Sequence, residues 1–192
     1  MMTLASSPVL HIHSATPDRW PDLEGLFGPR GCGGCWCMWW KLPRSEFDRN
    51  KGDGNRQALK ALVDLGQAPG ILAYDASEAV GWCAVAPREQ YPVLQRSRIL
   101  APVDDQPVWS IVCFFIARSY RGRGLLQPLI EGAVGHVRQS GGSVVEAYPT
   151  DTRAKTSPSF IYTGVLSAFL QTGFVEVARR SPTRPIVRRW LS

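Results

Sequence analysis

The residues best spaced to do chemistry lie in the run Arg118-Ser-Tyr-Arg-Gly-Arg-Gly124. Arg121 and Arg123 bring positive charge to a turn that Gly122 and Gly124 allow to be tight. An apolar stretch over 111–117 precedes it and reads as a strand buried on both faces. After it, Leu125, Leu126, Leu129, Ile130, Ala133, Val134 and Val137 recur at helical spacing. Strand, glycine-containing turn and helix start together aim several free backbone N–H groups at one point. A multi-oxygen anion such as a pyrophosphate suits that point; the plainer alternative is a core strand ending in a tight turn.

A second constellation packs Cys32, Cys35, Cys37, Trp36, Met38, Trp39 and Trp40 into nine residues. Three readings compete. The aromatic rings form a wall for an apolar or planar molecule, or attract a cationic amine through their faces. Cys-x-x-Cys-x-Cys takes zinc with His11 or His13 as fourth ligand. Or the segment is a small core in which cysteine acts as a hydrophobe. A second Cys pair is missing from the sequence, so no metal is expected. His136 falls on the long helix and reads as a surface residue.

Strands are expected over 9–13, 71–74, 79–86, 143–148, 174–180 and 185–190, and helices over 18–27, 45–65 and within 162–172. Thr16-Pro17 opens the first helix, Gly81 suggests a bulge, and 87–100 and 149–158 read as connections. A chain of 192 residues with no repeat or linker reads as one α/β domain, 1–192. It lacks an apolar run of about 18 residues and a secretory start, so neither membrane nor secretion is expected. Five cysteines, an odd number, suit reduced thiols in the cytoplasm. Net charge is +6; 11 Lys or Arg face 12 Asp or Glu before Arg118, and 11 face 4 from there on. The late arginines are scattered and not interleaved with aromatics, which favours a phosphate-bearing small molecule over nucleic acid.

The turn resembles the pyrophosphate-binding motif Gln/Arg-x-x-Gly-x-Gly/Ala of the GNAT superfamily of N-acetyltransferases. Arg121 takes the first place, Gly124 the middle glycine, and Leu126 the last, where the family prefers Gly or Ala. Phe169-Leu-Gln-Thr-Gly173-Phe174 is similar to the family's Tyr-x-x-x-Gly-Phe element, with Phe169 replacing the tyrosine. The resemblance covers roughly 70–180. It implies a mixed, mostly antiparallel sheet of about seven strands flanked by helices, with the two central strands splayed around acetyl-coenzyme A.

It also implies site residues. Backbone groups of Phe114, Phe115 and Ile116 would pair with the pantetheine arm, and those of Arg121, Gly122, Arg123, Gly124, Leu125 and Leu126 would cradle the diphosphate. Trp36, Cys37, Trp39 and Trp40 would line the pocket of a small-molecule amine, which attacks the thioester directly in a ternary complex. Ser110 stands where many members carry a basic Glu, so Glu146, Asp104 and Asp105 are the acidic residues left to take a proton. Tyr148 and Tyr162 are candidates for the acid that Phe169 cannot be. The alternative is a catalytically weak or inactive coenzyme A-binding sensor or partner module. The oligomeric state is open, a homodimer included.

Overall fold

The computed structural model describes residues 10–153 and 158–191. Its strands are β1 (Leu10–Ser14), β2 (Gly70–Asp75), β3 (Glu78–Pro87), β4 (Trp109–Ile116), β5 (Val144–Ala147), β6 (Val175–Arg179) and β7 (Pro185–Trp190). They form one seven-stranded sheet, order β1-β2-β3-β4-β5-β7-β6. Every neighbouring pair is antiparallel except β4 and β5, which run parallel. The helices are α1 (Trp20–Phe27), α2 (Gly31–Gly34), α3 (Arg44–Arg49), α4 (Asp53–Asp64), α5 (Pro92–Arg96), α6 (Leu126–Gln139) and α7 (Leu166–Gln171). This is the expected fold class: a mostly antiparallel sheet with helices on both faces.

Side chains alternate across the sheet and build two cores. Ile71, Cys83, Val85, Ile111, Val145 and Val187 meet α6 through Leu129, Ile130, Ala133, Val134 and Val137, its apolar stripe. On the other face Leu72, Trp82, Ala84 and Val112 pack under Trp20, Leu23, Phe27, Leu59, Val63 and the Cys/Trp segment.

Three expectations need correction. The helix foreseen over 45–65 is two helices, because the chain turns at Asn50-Lys51-Gly52 and sends Asn55 inward, fully buried. Asn55 Nδ2 donates to the Gly34 carbonyl at 3.0 Å, which ties α4 to the Cys/Trp segment. The first helix opens later than Thr16 suggests: a short turn, Pro17–Arg19, precedes α1, and Thr16 makes no side-chain cap. The connection read over 87–100 is not a plain surface link: it buries Arg88 and Tyr91. Val9 and residues 154–157 of the expected loop lie outside the described residues. Among the described residues no helix is long and apolar enough to cross a membrane.

Candidate active site

β4 and β5 pair only through Trp109↔Val145, Ser110↔Glu146 and Ile111↔Ala147. The chain then leaves β4 because it finds other partners. Thr150 N–H donates to Gly164 and Thr150 C=O accepts from Leu166, while Asp151 N–H reaches Thr183. β4 runs on to Ile116 beside β3 but without β5, so on that side its peptide groups have no strand partner among the described residues and its edge is open to a ligand. Ala117 N–H donates to Val80 on β3, and backbone direction alternates along a strand. The main chain of Phe115 is therefore committed to Trp82, its register partner, and only Phe114 and Ile116 present peptide groups to the open edge. The Ile116 carbonyl already accepts from Arg121 Nε at 3.0 Å. Of the pantetheine contacts the resemblance implies, the Phe114 peptide groups and the Ile116 N–H fit; Phe115 contributes its ring.

A bulge decides where those side chains go. Ile111 pairs with Val85 and Cys113 with Ala84, leaving Val112 as the extra residue. Val112 and Cys113 consequently share the face of the Cys/Trp segment, Phe114 turns toward α6, and Phe115 returns to the segment.

Beyond β4, Arg118–Tyr120 makes one turn of 3-10 helix, and Gly122 and Gly124 carry positive φ, +75° and +78°. Leu129 N–H to Leu125 C=O is the first bond of α6 at this end. The amides from Gly122 to Gln127 have no acceptor among the described residues. Pro128 has no amide to leave unpaired. Arg121, Gly122, Arg123 and Gly124 are exposed, Leu125 is buried, and Leu126 packs half-buried on the α6 core. Leu126 thus points into protein while its N–H stays available. A row of free N–H groups at a helix start, with two arginines beside it, has the chemistry a diphosphate requires.

A cavity of about 450 Å³ adjoins the open edge, lined by Cys32, Cys35, Cys37, Trp39, Trp40, Cys113, Phe114, Phe115 and Tyr162. That size suits a small molecule. The Cys/Trp segment reaches it through an unusual backbone: Gly31, Cys32, Gly33, Gly34, Trp36 and Cys37 all have positive φ. Such geometry costs roughly 1–2 kcal/mol at each non-glycine residue. Burial offsets it, since Trp36 stacks on Trp20 with centroids 6.0 Å apart and packs against Phe27. Trp36 therefore belongs to the core and not to the cavity wall, unlike Cys37, Trp39 and Trp40. Gly31 is required, because a Cβ there would lie 1.9 Å from Trp36 Nε1. Cys37 Sγ donates to Cys113 Sγ at 3.2 Å, and all five cysteines are free. Burial pushes the Cys35 thiol up to about 11 and raises Cys32 and Cys113 as well, although the hydrogen bond from Cys37 is the larger cause at Cys113. These are thiols and not ready nucleophiles. Among the described residues no group of His, Cys, Asp or Glu is disposed to hold a metal; His13 packs edge-on against Tyr74 instead.

The other proton-transfer candidates divide. Tyr162 stands in the cavity wall, half-buried, its hydroxyl raised to about 12 by burial and without a partner among the described residues. Ser110, Glu146 and Tyr148 come together, but in a closed network that exposes none of them. Glu146 Oε1 accepts from Arg88 at 2.9 Å and from Tyr148 at 2.7 Å, and Oε2 accepts from Arg188 at 2.7 Å. Arg188 also binds Asp104 at 2.7 Å. Since the Tyr148 proton goes to Glu146, Ser110 Oγ is the donor in its 2.8 Å contact with Tyr148. Burial lifts the Tyr148 hydroxyl far above its ordinary value. This departs from the expectation for three residues: Glu146 is enclosed and already accepts three hydrogen bonds, two of them from buried arginines, and Tyr148 and Ser110 are occupied. Phe169 is likewise core, edge-on to Phe114 and Phe174. Arg88 and Asn55 were not foreseen; a charged residue heading a polar connection gives no sign of turning inward.

The sequence profile of the acetyltransferase (GNAT) family matches residues 36–156, more than half of the chain, and the protein belongs to that family. Membership makes it an acyltransferase by class, with acetyl-coenzyme A the family's acyl donor. Solved structures agree in fold. A GNAT acetyltransferase from Streptococcus agalactiae superposes with TM-score 0.58 at 13% identity, covering 95% of this chain and 96% of that one. The PaiA N-acetyltransferase of Thermoplasma acidophilum, solved in complex with coenzyme A, gives 0.52 at 10% identity, covering 95% and 99%. A mosquito arylalkylamine N-acetyltransferase like 5b gives 0.58 at 11% identity, covering 95% and 100%. A comparison with curated protein sequences finds no match.

Proposed function

We propose that the chain is an N-acetyltransferase that moves the acetyl group of acetyl-coenzyme A to the amine of a small molecule, by direct attack in a ternary complex. One observation carries this reading: unpaired amides from Gly122 to Gln127 stand at the end of a strand with an open edge, beside an aromatic cavity. Those amides and Arg121 and Arg123 would hold the diphosphate. The Phe114 peptide groups and the Ile116 N–H would align the pantetheine arm, and fixed donors of this kind need no rearrangement as charge develops on the thioester oxygen. Cys37, Trp39 and Trp40 would wall the acceptor, and Tyr162 would return a proton to the departing thiolate. A free thiol ionises near 8.5, so that assistance is modest. The reading treats 1–192 as one acyltransferase unit and the cytoplasm as its setting, which the unpaired cysteines support.

Titration calorimetry with acetyl-coenzyme A, followed by thiol release over a panel of amines, tests it. Saturable binding with amine-dependent release is the expected result; no heat at millimolar ligand ends the proposal. The second reading, a coenzyme A-binding module without chemistry, draws on Phe169 in place of a tyrosine and on the closed Glu146 network. It predicts binding with no release.

A further inference from the structure

We propose that the acceptor is a planar aromatic amine, uncharged near neutral pH. The inference rests on the acyltransferase reading and concerns the cavity that reading uses. Its described walls are aromatic rings and thiols. No Asp or Glu is among the described residues that line it. An ammonium, with three donors and a full charge, finds no carboxylate partner in that lining.

The charges around the cavity point the same way. Arg44 covers the Trp39 ring, 4.6 Å from its centroid, and takes that cation-binding face. Arg121 stands over Phe115 at 5.8 Å, and its charge reaches the Cys32 thiol. Arg184, hydrogen-bonded to Thr163 at 3.2 Å, acts on Tyr162. Arg44 is paired with Asp48 at 2.6 Å and Arg121 would face the diphosphate, so of the three Arg184, with no carboxylate partner among the described residues, is the one that opposes a further cation there. The buried carboxylate of Glu146 is already paired with Arg88 and Arg188.

The chemistry of attack adds a separate reason. An alkylamine with the acidity of lysine is free base in fewer than about one molecule in a thousand at pH 7. It therefore needs a base, and Ser110, the residue on β4 where the resemblance calls for one, donates to Tyr148 in a sealed network. An aromatic amine, its lone pair shared with the ring, arrives unprotonated and attacks as it is. Its N–C bond forms as the thioester C–S bond breaks; the thiolate leaves with the electron pair, and the surplus proton on nitrogen passes to it or to water.

Acetyl-coenzyme A-dependent thiol release is measured with 4-aminobenzamide and with 4-(aminomethyl)benzamide, matched in ring and carbonyl but not in charge. The expected kcat/KM is at least tenfold higher for the aromatic amine near pH 7, and flat with pH while the benzylic amine gains as it deprotonates. Equal or better use of the benzylic amine, or no turnover of the aromatic one by protein that binds acetyl-coenzyme A, overturns the inference and leaves the acyltransferase class standing. Absence of acetyl-coenzyme A binding overturns both. Cys35→Asp, at a half-buried wall position, supplies the missing carboxylate and is expected to shift the preference tenfold or more toward the benzylic amine; an unshifted preference in the folded variant refutes the electrostatic account.

Discussion

Tyr162 and Glu146 divide the roles that a proton-transfer residue and a structural one can take. Tyr162 lines the cavity and its hydroxyl has no partner among the described residues, so Tyr162→Phe is expected to lower kcat by about tenfold to 10²-fold with KM for acetyl-coenzyme A unchanged, read by steady-state thiol release. Glu146→Gln acts elsewhere. It leaves Arg88 and Arg188, both buried, facing an uncharged amide, and should cost about 3 kcal/mol in urea unfolding while turnover per folded molecule holds. The reverse pattern, full stability with turnover lost, would return Glu146 to the chemistry. His136 tests burial by pH. Its Nδ1 shares a hydrogen bond with Ser14 Oγ at 3.1 Å, Nε2 is buried without a partner among the described residues, and burial lowers its pKa. A depressed folded value means that the unfolded chain binds the proton first. Stability is therefore full above about pH 6.5 and falls as pH drops through the interval below it. Melting curves of the wild type and His136→Gln should differ in slope over that interval and run parallel above it.

The Cys/Trp segment and the β4 turn are two elements with separable duties. The segment is held by its contact with α4 and by Trp36, and Gly31 is the residue that admits the indole. Gly31→Ala puts a methyl into that ring and should destabilise the fold by about 2 kcal/mol or more. Where enough folded protein remains, calorimetry should show acetyl-coenzyme A still bound and the amine no longer turned over. The turn, its strand and its helix were legible because their signals are local: an apolar run, two glycines and a stripe at helical spacing. The segment's cavity role was legible only in part. Tryptophan spacing marks an aromatic surface, but the left-handed backbone that buries Trp36 and exposes Trp39 to the cavity leaves no period to read. The bulge at Val112 is silent for the same reason, since one extra residue in an apolar strand looks like the strand itself.

At the level of the molecule, strand types and their order followed from the sequence and its resemblance, while the Glu146 network did not. Its partners come from 58 and 42 residues away, and only the closed sheet shows that Arg88 and Arg188 fill the carboxylate. The charge excess after Arg118 is different, because it is a property of the chain that the fold merely gathers. Arg121 and Arg123 sit exposed at the turn, so attraction for a diphosphate there must be screened by salt. A ligand that binds only the folded state adds about 2.7 kcal/mol at a hundredfold excess over Kd. For a chain of this size each kcal/mol raises Tm by roughly 2–4 °C, which gives a shift of roughly 5–10 °C with acetyl-coenzyme A. At fixed ligand the shift should shrink as salt is raised, and shrink less in Arg121→Ala/Arg123→Ala, whose binding starts weaker. Coenzyme A without its acetyl group should give nearly the same shift, because the contacts proposed at the turn are to the diphosphate. A shift that needs the acetyl group and ignores salt would move the anchoring point from the turn to the cavity.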